Sequence, residues 1–336
     1  MPYQIKDLLQ ALNDLSGGRC FTNRENWSNE TNNFVVTKSS DIPGKSVTEI
    51  PGLVWGNMEM EVKKIAVTMT LNESAIELAP ATGVNAIIAH HPVADAASSG
   101  GVLLKHYLNI YNIAVFELHE AFHGLHPGIP FLHGHNPFFI NTSYGGIAGN
   151  IVYVGNTLPE IKIVGDMINR LNKFMDTETD KKMLDSERII RKSENVQETS
   201  IAVQPKILLG DLNKQMKRVI HIFPHTGFNV NHLEALMKDN PDVDTLLATI
   251  SRVYPDNELI AKAEKFGLNF ICGNSHAMEI FENGLPLAYA IQHYLPKAEI
   301  VIFRDRVTST PLNEFGTSAI RNYGKDMAFN HLQKKN

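Results

Sequence analysis

The strongest constraint on the fold is a repeated pattern in which short apolar segments alternate with amphipathic ones. Between residues 63 and 118 the order is strand, helix, strand, helix, strand, from "KKIAVTMTL", "NESAIELAPATG", "VNAIIA", "LLKHYLNIYN" and "IAVFEL". Apolar runs without polar alternation are typical of strands that are covered on both faces, and strands that alternate with helices through short links indicate parallel βαβ units. The sequence therefore predicts an α/β fold with mostly parallel sheets.

The same order of elements returns in the second half of the chain, in "RVIHIF", "NVNHLEALMKDN", "VDTLLATI", "PDNELIAKAEKFG" and "LNFICG". Between the two halves, residues 176–200 carry many charges and few large apolar side chains, which indicates a solvated helix or a flexible connector. We therefore expect an N-terminal α/β lobe over residues 1–160, a connector helix and charged linker over 161–205, and a C-terminal α/β lobe over 206–336.

Composition argues against several classes of function. The chain of 336 residues has a net charge of −5 with scattered lysines and arginines, so a nucleic-acid partner is not expected. No segment approaches the roughly 20 apolar residues that cross a bilayer, and the first residues predict an amphipathic surface helix rather than a signal peptide. We expect a cytoplasmic protein without a membrane partner. Cys20 and Cys272 are too far apart for a disulfide framework or a zinc ribbon.

Histidines and carboxylates follow three of the predicted strands. His90 and His91 end one strand, His119, Glu120 and His123 follow another, and His276 and Glu279 follow a third. In open parallel sheets the carboxyl ends of the strands share one edge, and ligands bind there. Neutral imidazoles and carboxylates bind zinc, iron, manganese or nickel, and clustering imidazoles in a sheet edge costs free energy unless they are used. The pattern predicts a site for one or two divalent ions, with a purely structural or pH-sensitive histidine cluster as the alternative.

The other histidines give weaker signals. His126, His133 and His135 lie in the proline- and glycine-rich segment "GLHPGIPFLHGHNP", which we expect either to reach over the site or to lie exposed. His221 has strand neighbours and is expected to be an ordinary residue of the sheet.

At several points the chain resembles the Nif-three-like family, the GTP cyclohydrolase 1 type 2 homologues. The segment "IPGLVWGNMEMEVKKIAVTMTLNESAIELAPATGVNAIIAHHPV" is similar to the opening of the family, which ends in a His-His-Pro loop. "NIAVFELHEAFHG" stands where the family has a strand and a His-Thr-Asn-Leu-Asp segment, and "IVYVGNTLPEIKIVGDMINRL" resembles its strand, Leu-Pro turn and helix. "DNELIAKAEKFGLNFICGNSHAMEIFE" resembles its last helix, strand and Gly-His-x-x-x-Glu segment. The resemblance covers residues 50 to 305, approximately.

This resemblance implies two related α/β lobes with a dinuclear metal site between them, and homo-oligomers that are commonly hexamers built from dimers. By position, His90 and His91 become metal ligands, the metal-binding aspartate of the family falls on His123, and its closing glutamate falls on Glu279. The last histidine of the family corresponds to His276.

Two departures from the family pattern affect the expected site. A histidine at position 123 replaces an anionic oxygen by a neutral nitrogen, so the number of ions stays open between one and two. His276 precedes Glu279 by three residues rather than four, and either spacing puts the pair on one face of a helix. Glu120 offers a replacement carboxylate if its loop turns differently.

We expect a metal-dependent hydrolase of a small molecule, with His90, His91, His123, His276 and Glu279 as metal ligands. Glu120 is the expected general base. Ring opening of a purine nucleotide is the version that the family's name implies. A non-catalytic metal-binding scaffold or regulatory oligomer is the main alternative, and a metal-free relative is another. The first fifty residues are expected to form a cap or an oligomer contact.

Overall fold

The structure, a computed structural model, describes residues 2–21, 32, 34–39, 46–93, 104–224, 227–249, 253–254 and 256–332. Its helices are α1 (Ile5–Leu15), α2 (Glu73–Thr82), α3 (Leu104–Tyr111), α4 (Gly128–Leu132), α5 (Val164–Phe174), α6 (Thr177–Arg191), α7 (Thr199–Ala202), α8 (Val230–Asp239), α9 (Glu258–Lys265), α10 (Leu285–Tyr294) and α11 (Ser318–Met327). Short 3-10 turns span Tyr144–Gly146 and His276–Met278, and π-helical turns span Ile280–Gly284 and Ala328–Leu332.

The strands are β1 (Val36–Ser39), β2 (Ser46–Glu49), β3 (Gly52–Trp55), β4 (Lys64–Thr68), β5 (Ala86–Ala89), β6 (Ala114–Glu117), β7 (His135–Asn141), β8 (Val152–Thr157), β9 (Gln197–Glu198), β10 (Lys206–Leu209), β11 (Arg218–Ile222), β12 (Thr245–Ala248), β13 (Asn269–Cys272), β14 (Glu299–Phe303) and β15 (Thr308–Ser309).

Most strands belong to two sheets. One has five strands in the order β14-β4-β5-β6-β3, in which β14, β4, β5 and β6 are parallel and β3 is antiparallel. The other has six strands in the order β10-β13-β12-β11-β8-β7, in which β11, β12 and β13 are parallel. The predicted α/β class with two lobes and mostly parallel sheets is confirmed.

The two sheets repeat one scheme. In each half an antiparallel edge strand is followed by strand, helix, strand, helix, strand, and the edge strand then pairs with the last of the three parallel strands. Both edge strands, β3 and β10, also carry a register shift. The strand and helix order that the sequence repeats therefore corresponds to a structural repeat.

The ends of α2 show why the local sequence forms this helix. The side chain of Asn72 accepts a hydrogen bond from the backbone N–H of Ala75 at 2.8 Å, which caps the first turn. Gly83 closes the helix with a φ of 75°, in the left-handed region that glycine adopts without a Cβ penalty. Both ends lie where the sequence predicts them.

Helices cover both faces of the five-stranded sheet. Leu8 of α1 and Ile291 of α10 belong to one core with Ile88 of β5. Ile76 of α2 belongs to the opposite core with Ile87, the neighbouring residue of the same strand. This two-sided burial explains the apolar runs in the sequence and leaves the strand ends as the places for polar side chains.

Strand pairing crosses the predicted domain boundaries, which stay a prediction. The strands β7 and β8 lie within residues 1–160 but pair in the six-stranded sheet, where β8 is antiparallel to β11. Conversely, β14 lies within residues 206–336 and pairs with β4 of the five-stranded sheet. Among the described helices none is long and apolar enough to cross a membrane.

Candidate metal centre

Polar side chains gather at the carboxyl ends of β5, β6 and β13. His90 and His91 directly follow β5, His119 stands two residues after β6, and His276 begins the short turn that follows β13. These loops come from both sheets, because β5 and β6 belong to one and β13 to the other.

Three buried imidazoles form what we call the inner site: His90, His119 and His123. Their candidate donor atoms lie within 4.8 Å of one another, and the residues are 1%, 9% and 3% exposed. The ring centroids of His119 and His123 are 4.8 Å apart, and those of His90 and His119 are 4.9 Å apart. Three nitrogen donors thus converge in a space that solvent hardly reaches.

Each inner imidazole has its Nδ1 beside an oxygen acceptor. His90 Nδ1 donates to the carbonyl of Leu118 at 2.9 Å, so its Nε2 carries the lone pair. His119 Nδ1 lies 2.9 Å from Glu49 Oε1, and His123 Nδ1 lies 3.2 Å from Glu120 Oε2. Carboxylates and carbonyls that accept from one ring nitrogen fix the tautomer and orient the other nitrogen in metal-binding histidines.

The outer site consists of His91, His276 and Glu279, whose candidate donor atoms also lie within 4.8 Å of one another. Glu279 Oε2 lies 2.8 Å from His91 Nε2 and 2.8 Å from His276 Nδ1. The other ring nitrogen of His91 lies 2.9 Å from the hydroxyl of Thr70. The side chain of His276 is 46% exposed and that of Glu279 only 5%, so solvent reaches the outer site from the side of His276.

Electrostatics keep the two kinds of donor in the forms that bind cations. Burial lowers the pKa of His90 well below its usual value, and the neighbouring imidazoles of His119, His123 and His91 lower it further, so this ring stays neutral. Burial alone would raise the pKa of Glu279. The charges and hydrogen bonds of His91 and His276 outweigh burial and hold that pKa well below its usual range, so Glu279 is an anion.

These residues fit a divalent metal. Both sites offer three convergent donors of the types that zinc, iron and manganese accept. A third grouping, formed by Glu49, His119 and Glu120, overlaps the inner site and brings two carboxylates next to it.

All five predicted ligands lie in this centre, but they belong to two separate groupings of donors. His90 and His123 lie in the inner site, and His91, His276 and Glu279 form the outer site. Their roles as ligands stay predictions, as does the role of Glu120 as a base; its Oε2 lies beside His123.

Sequence reasoning missed one member of the inner site, His119, and the carboxylate beside it, Glu49. His119 was visible as a strand-end histidine but was not chosen as a ligand, because the resemblance offered His123 for that place. Glu49 carried no signal, since it belongs to β2, in a part of the sequence without recognisable motifs, and only the fold brings it to His119.

The prediction for His133 and His135 is wrong. Both are fully buried beside His221, with His135 Nε2 at 3.0 Å from His221 Nδ1. We call these three residues the His133 group. Burial lowers the pKa of His133 to about 4 and that of His135 to about 3, so the group is neutral at pH 7. His133 follows α4 and His135 begins β7, and both rings pack against His221 of β11 instead of lying in an exposed loop.

Comparison with known proteins gives a sequence match and several matches of fold. Residues 38–98 match the sequence profile of the family described as Duf34/NIF3 (NGG1p interacting factor 3). This segment contains the His-His-Pro loop. No curated protein matches the sequence.

Among solved structures, the Staphylococcus aureus hypothetical protein SA1388 has a TM-score of 0.55 at 12% identity, covering 90% of this chain and 97% of that chain. A Bacillus cereus protein related to NIF3 has a TM-score of 0.55 at 11% identity, covering 92% of this chain and 98% of that chain. The protein ybgI has a TM-score of 0.52 at 14% identity, covering 90% and 98%. At these identities the likeness is one of fold. The family match thus covers residues 38–98, and the solved structures share the fold over 90% to 92% of this chain.

Proposed function

We propose that the protein is a metal-dependent hydrolase of a small molecule. The observation that carries this proposal is the outer site, in which three protein donors meet and one of them, the imidazole of His276, is 46% exposed. Closed sites with four protein ligands are typical of structural zinc, whereas three ligands next to solvent are typical of catalytic metals.

A divalent ion bound in this centre would supply Lewis acidity and make water a nucleophile near neutral pH. The chain's own residues would do the rest. His91, His276 and Glu279 would orient the ion from two sheets, and Thr70 would fix the ring of His91. Glu120, the proposed general base, has Oε2 at 3.2 Å from His123 Nδ1, so that ring would hold the carboxylate in position.

Purine nucleotides are the substrate class to test first, because ring opening of such a nucleotide is the activity in the name of the family that the sequence resembles. The proposed ions are zinc, iron or manganese. We also propose a cytoplasmic location and a homo-oligomer, by the same resemblance a hexamer built from dimers.

The experiment is a hydrolysis screen of nucleotides and generic phosphoesters, with metal-stripped protein and after addition of zinc, manganese or iron. We expect activity that depends on metal and falls at least about a hundredfold in His91→Ala, because the variant removes a ligand. His106→Ala, an exposed histidine of α3, is the matched control and should keep the activity. Activity that His91→Ala retains would contradict the proposal.

A non-catalytic metal-binding scaffold is the second candidate, and the inner site favours it. Its three imidazoles are all buried, which resembles a structural site more than a catalytic one. Bound metal without hydrolysis of any substrate in the screen would support this candidate.

A further inference from the structure

We propose that the two sites are unlike in function: the inner site retains one ion of the zinc class, and the outer site binds a second ion that exchanges with solvent. This inference rests on the proposed metal function. It extends that function by assigning His119 as an inner ligand and Glu49 as the residue that orients it. Neither residue was among the ligands expected from the family resemblance.

The donor sets differ in chemistry. The inner site offers three imidazole nitrogens, whereas the outer site offers two nitrogens and a carboxylate oxygen. Imidazole suits zinc and the later transition metals, while carboxylate oxygen also suits manganese and magnesium. The inner site is therefore expected to accept a narrower range of metal ions than the outer site.

The residues that contact the donor side chains also differ between the two sites. Every inner imidazole has Nδ1 beside an oxygen acceptor, and for His119 and His123 this acceptor is a buried carboxylate. Glu49 and Glu120 are 2% and 4% exposed. When ionised, these two carboxylates can offset the charge of a divalent ion, which imidazole donors do not neutralise. In the outer site the carboxylate of Glu279 is itself the donor.

The burial of the donors and their positions in the fold predict that ions exchange with solvent at different rates in the two sites. The inner residues are at most 9% exposed, and all three follow strands of a single sheet. In the outer site the side chain of His276 is 46% exposed and that of His91 is 17% exposed. His91 follows β5 while His276 and Glu279 follow β13, so the outer donors come from two sheets and separate whenever the sheets move apart.

The test measures metal release, without any assay of activity. The full-length protein is loaded with zinc, mixed with excess chelator and sampled over time, and the zinc that remains per chain is measured by elemental mass spectrometry. We expect two phases, with one ion lost at least about tenfold faster than the other. A single phase for two ions, or only one bound ion in the parent, would overturn the inference.

Two variants assign the phases. His276→Ala should bind a single ion that leaves at the slow rate. Glu49→Gln keeps the size of the side chain and removes its charge, so the slow ion should leave about 10 to 100 times faster while the fast phase is unchanged. His293→Ala, exposed near the end of α10, is the control and should release zinc like the parent.

The outcomes separate this inference from the proposed function. No bound zinc, manganese or iron in a folded parent would refute the metal function itself. Two bound ions with a slow phase unaffected by Glu49→Gln would leave the metal function standing and overturn the assignment of Glu49. Because either variant can affect folding, circular dichroism and thermal unfolding of the metal-free proteins accompany the assay. If Glu49→Gln does not fold, His119→Gln replaces it, and retention of the slow ion in that variant would refute the assignment of His119.

Discussion

At the scale of single residues, the environment of a buried imidazole decides what it can do. The inner site and the His133 group each contain three buried histidines. The inner rings converge, and each has Nδ1 beside an oxygen acceptor. In the His133 group, His133 Nδ1 also lies 2.9 Å from an acceptor, the carbonyl oxygen of Ile129, but His133 Nε2, His135 Nδ1 and His221 Nε2 have no hydrogen-bond partner among the described atoms. Of the groupings of metal donors found among the described residues, none contains the His133 group. Three neighbouring buried imidazoles therefore do not always form a grouping of metal donors.

Acid should destabilise the protein through the His133 group. The folded-state pKa values of His133 and His135 are about 4 and about 3, below the unfolded value of about 6.5. Above pH 6.5 both states are neutral at these rings and folding is unaffected. Below it the unfolded chain binds protons that the folded chain excludes, so stability falls with pH down to the folded pKa. The loss from His133 alone reaches roughly 3 kcal/mol at pH 4.

The measurement is the free energy of unfolding in urea between pH 4 and 7 for the parent and His133→Gln. The variant is less stable at neutral pH, but its stability should depend less steeply on pH below 6.5, because one excluded proton is removed. His293→Ala, an exposed histidine, serves as control. An unchanged slope in His133→Gln would refute the linkage.

A second residue-scale prediction concerns Gly273, which follows β13 directly. A Cβ at this position would lie 2.1 Å from His133 Nε2, so Gly273→Ala must displace the ring or the strand end. We expect a loss of about 1 to 3 kcal/mol in the free energy of unfolding, as for other overpacked cores. Gly324→Ala in α11 is the control, since nothing lies within 4 Å of its Cβ and alanine favours a helix. Equal stability of Gly273→Ala and the parent would contradict this contact.

At the scale of elements, the sequence was most informative where local rules decide. The strands of both halves and the caps of α2 follow from apolar runs, Asn72 and Gly83. The charged segment 176–200 was expected to be a solvated helix or a flexible connector, and α6 lies there. The burial of Asp180 in this helix was not predictable. This residue is 3% exposed and pairs with Arg304, which is distant in the sequence. Charge composition alone indicates solvent exposure, and only the tertiary contact shows which carboxylate is buried.

The pair of Asp180 and Arg304 should anchor α6. The guanidinium donates to both carboxylate oxygens, at 3.1 and 2.6 Å, and lies 5.0 Å from the ring centroid of Phe281, two residues after Glu279. Arg304→Ala leaves a buried carboxylate without this partner, so we expect a loss on the order of 3 kcal/mol in the free energy of unfolding.

The matched control for this pair is Arg191→Ala, which removes a partly exposed arginine that pairs with Glu187 within α6. Such surface pairs contribute about 1 kcal/mol or less. Similar losses in the two variants, measured by urea unfolding, would mean that Asp180 does not depend on Arg304.

At the scale of the whole molecule, the candidate centre depends on how the two sheets meet. The sequence predicted that several strand ends would bring ligands to one place, because parallel strands share an edge. The five ligands that were predicted with the help of the family resemblance all lie in the inner or the outer site. It could not predict their division, because the convergence of His91 with His276 and Glu279 depends on contact between loops of different sheets. The position of Glu49 beside His119 was not predictable either, because only the folded chain brings these two residues together.

Because the outer site joins two sheets, a bound ion should stabilise the whole fold. An ion that binds only the folded state adds about 2.7 kcal/mol at a hundredfold excess over its dissociation constant. For a chain of this size the melting temperature should then rise by roughly 4 °C. The measurement is thermal unfolding of the metal-free protein with increasing zinc or manganese. In His276→Ala manganese should raise the melting temperature less than in the parent, because the outer site, which contains the carboxylate oxygen, has lost a donor. Zinc should still stabilise the variant by binding to the inner site. Equal manganese shifts in the two proteins would show that the outer donors do not bind the ion together.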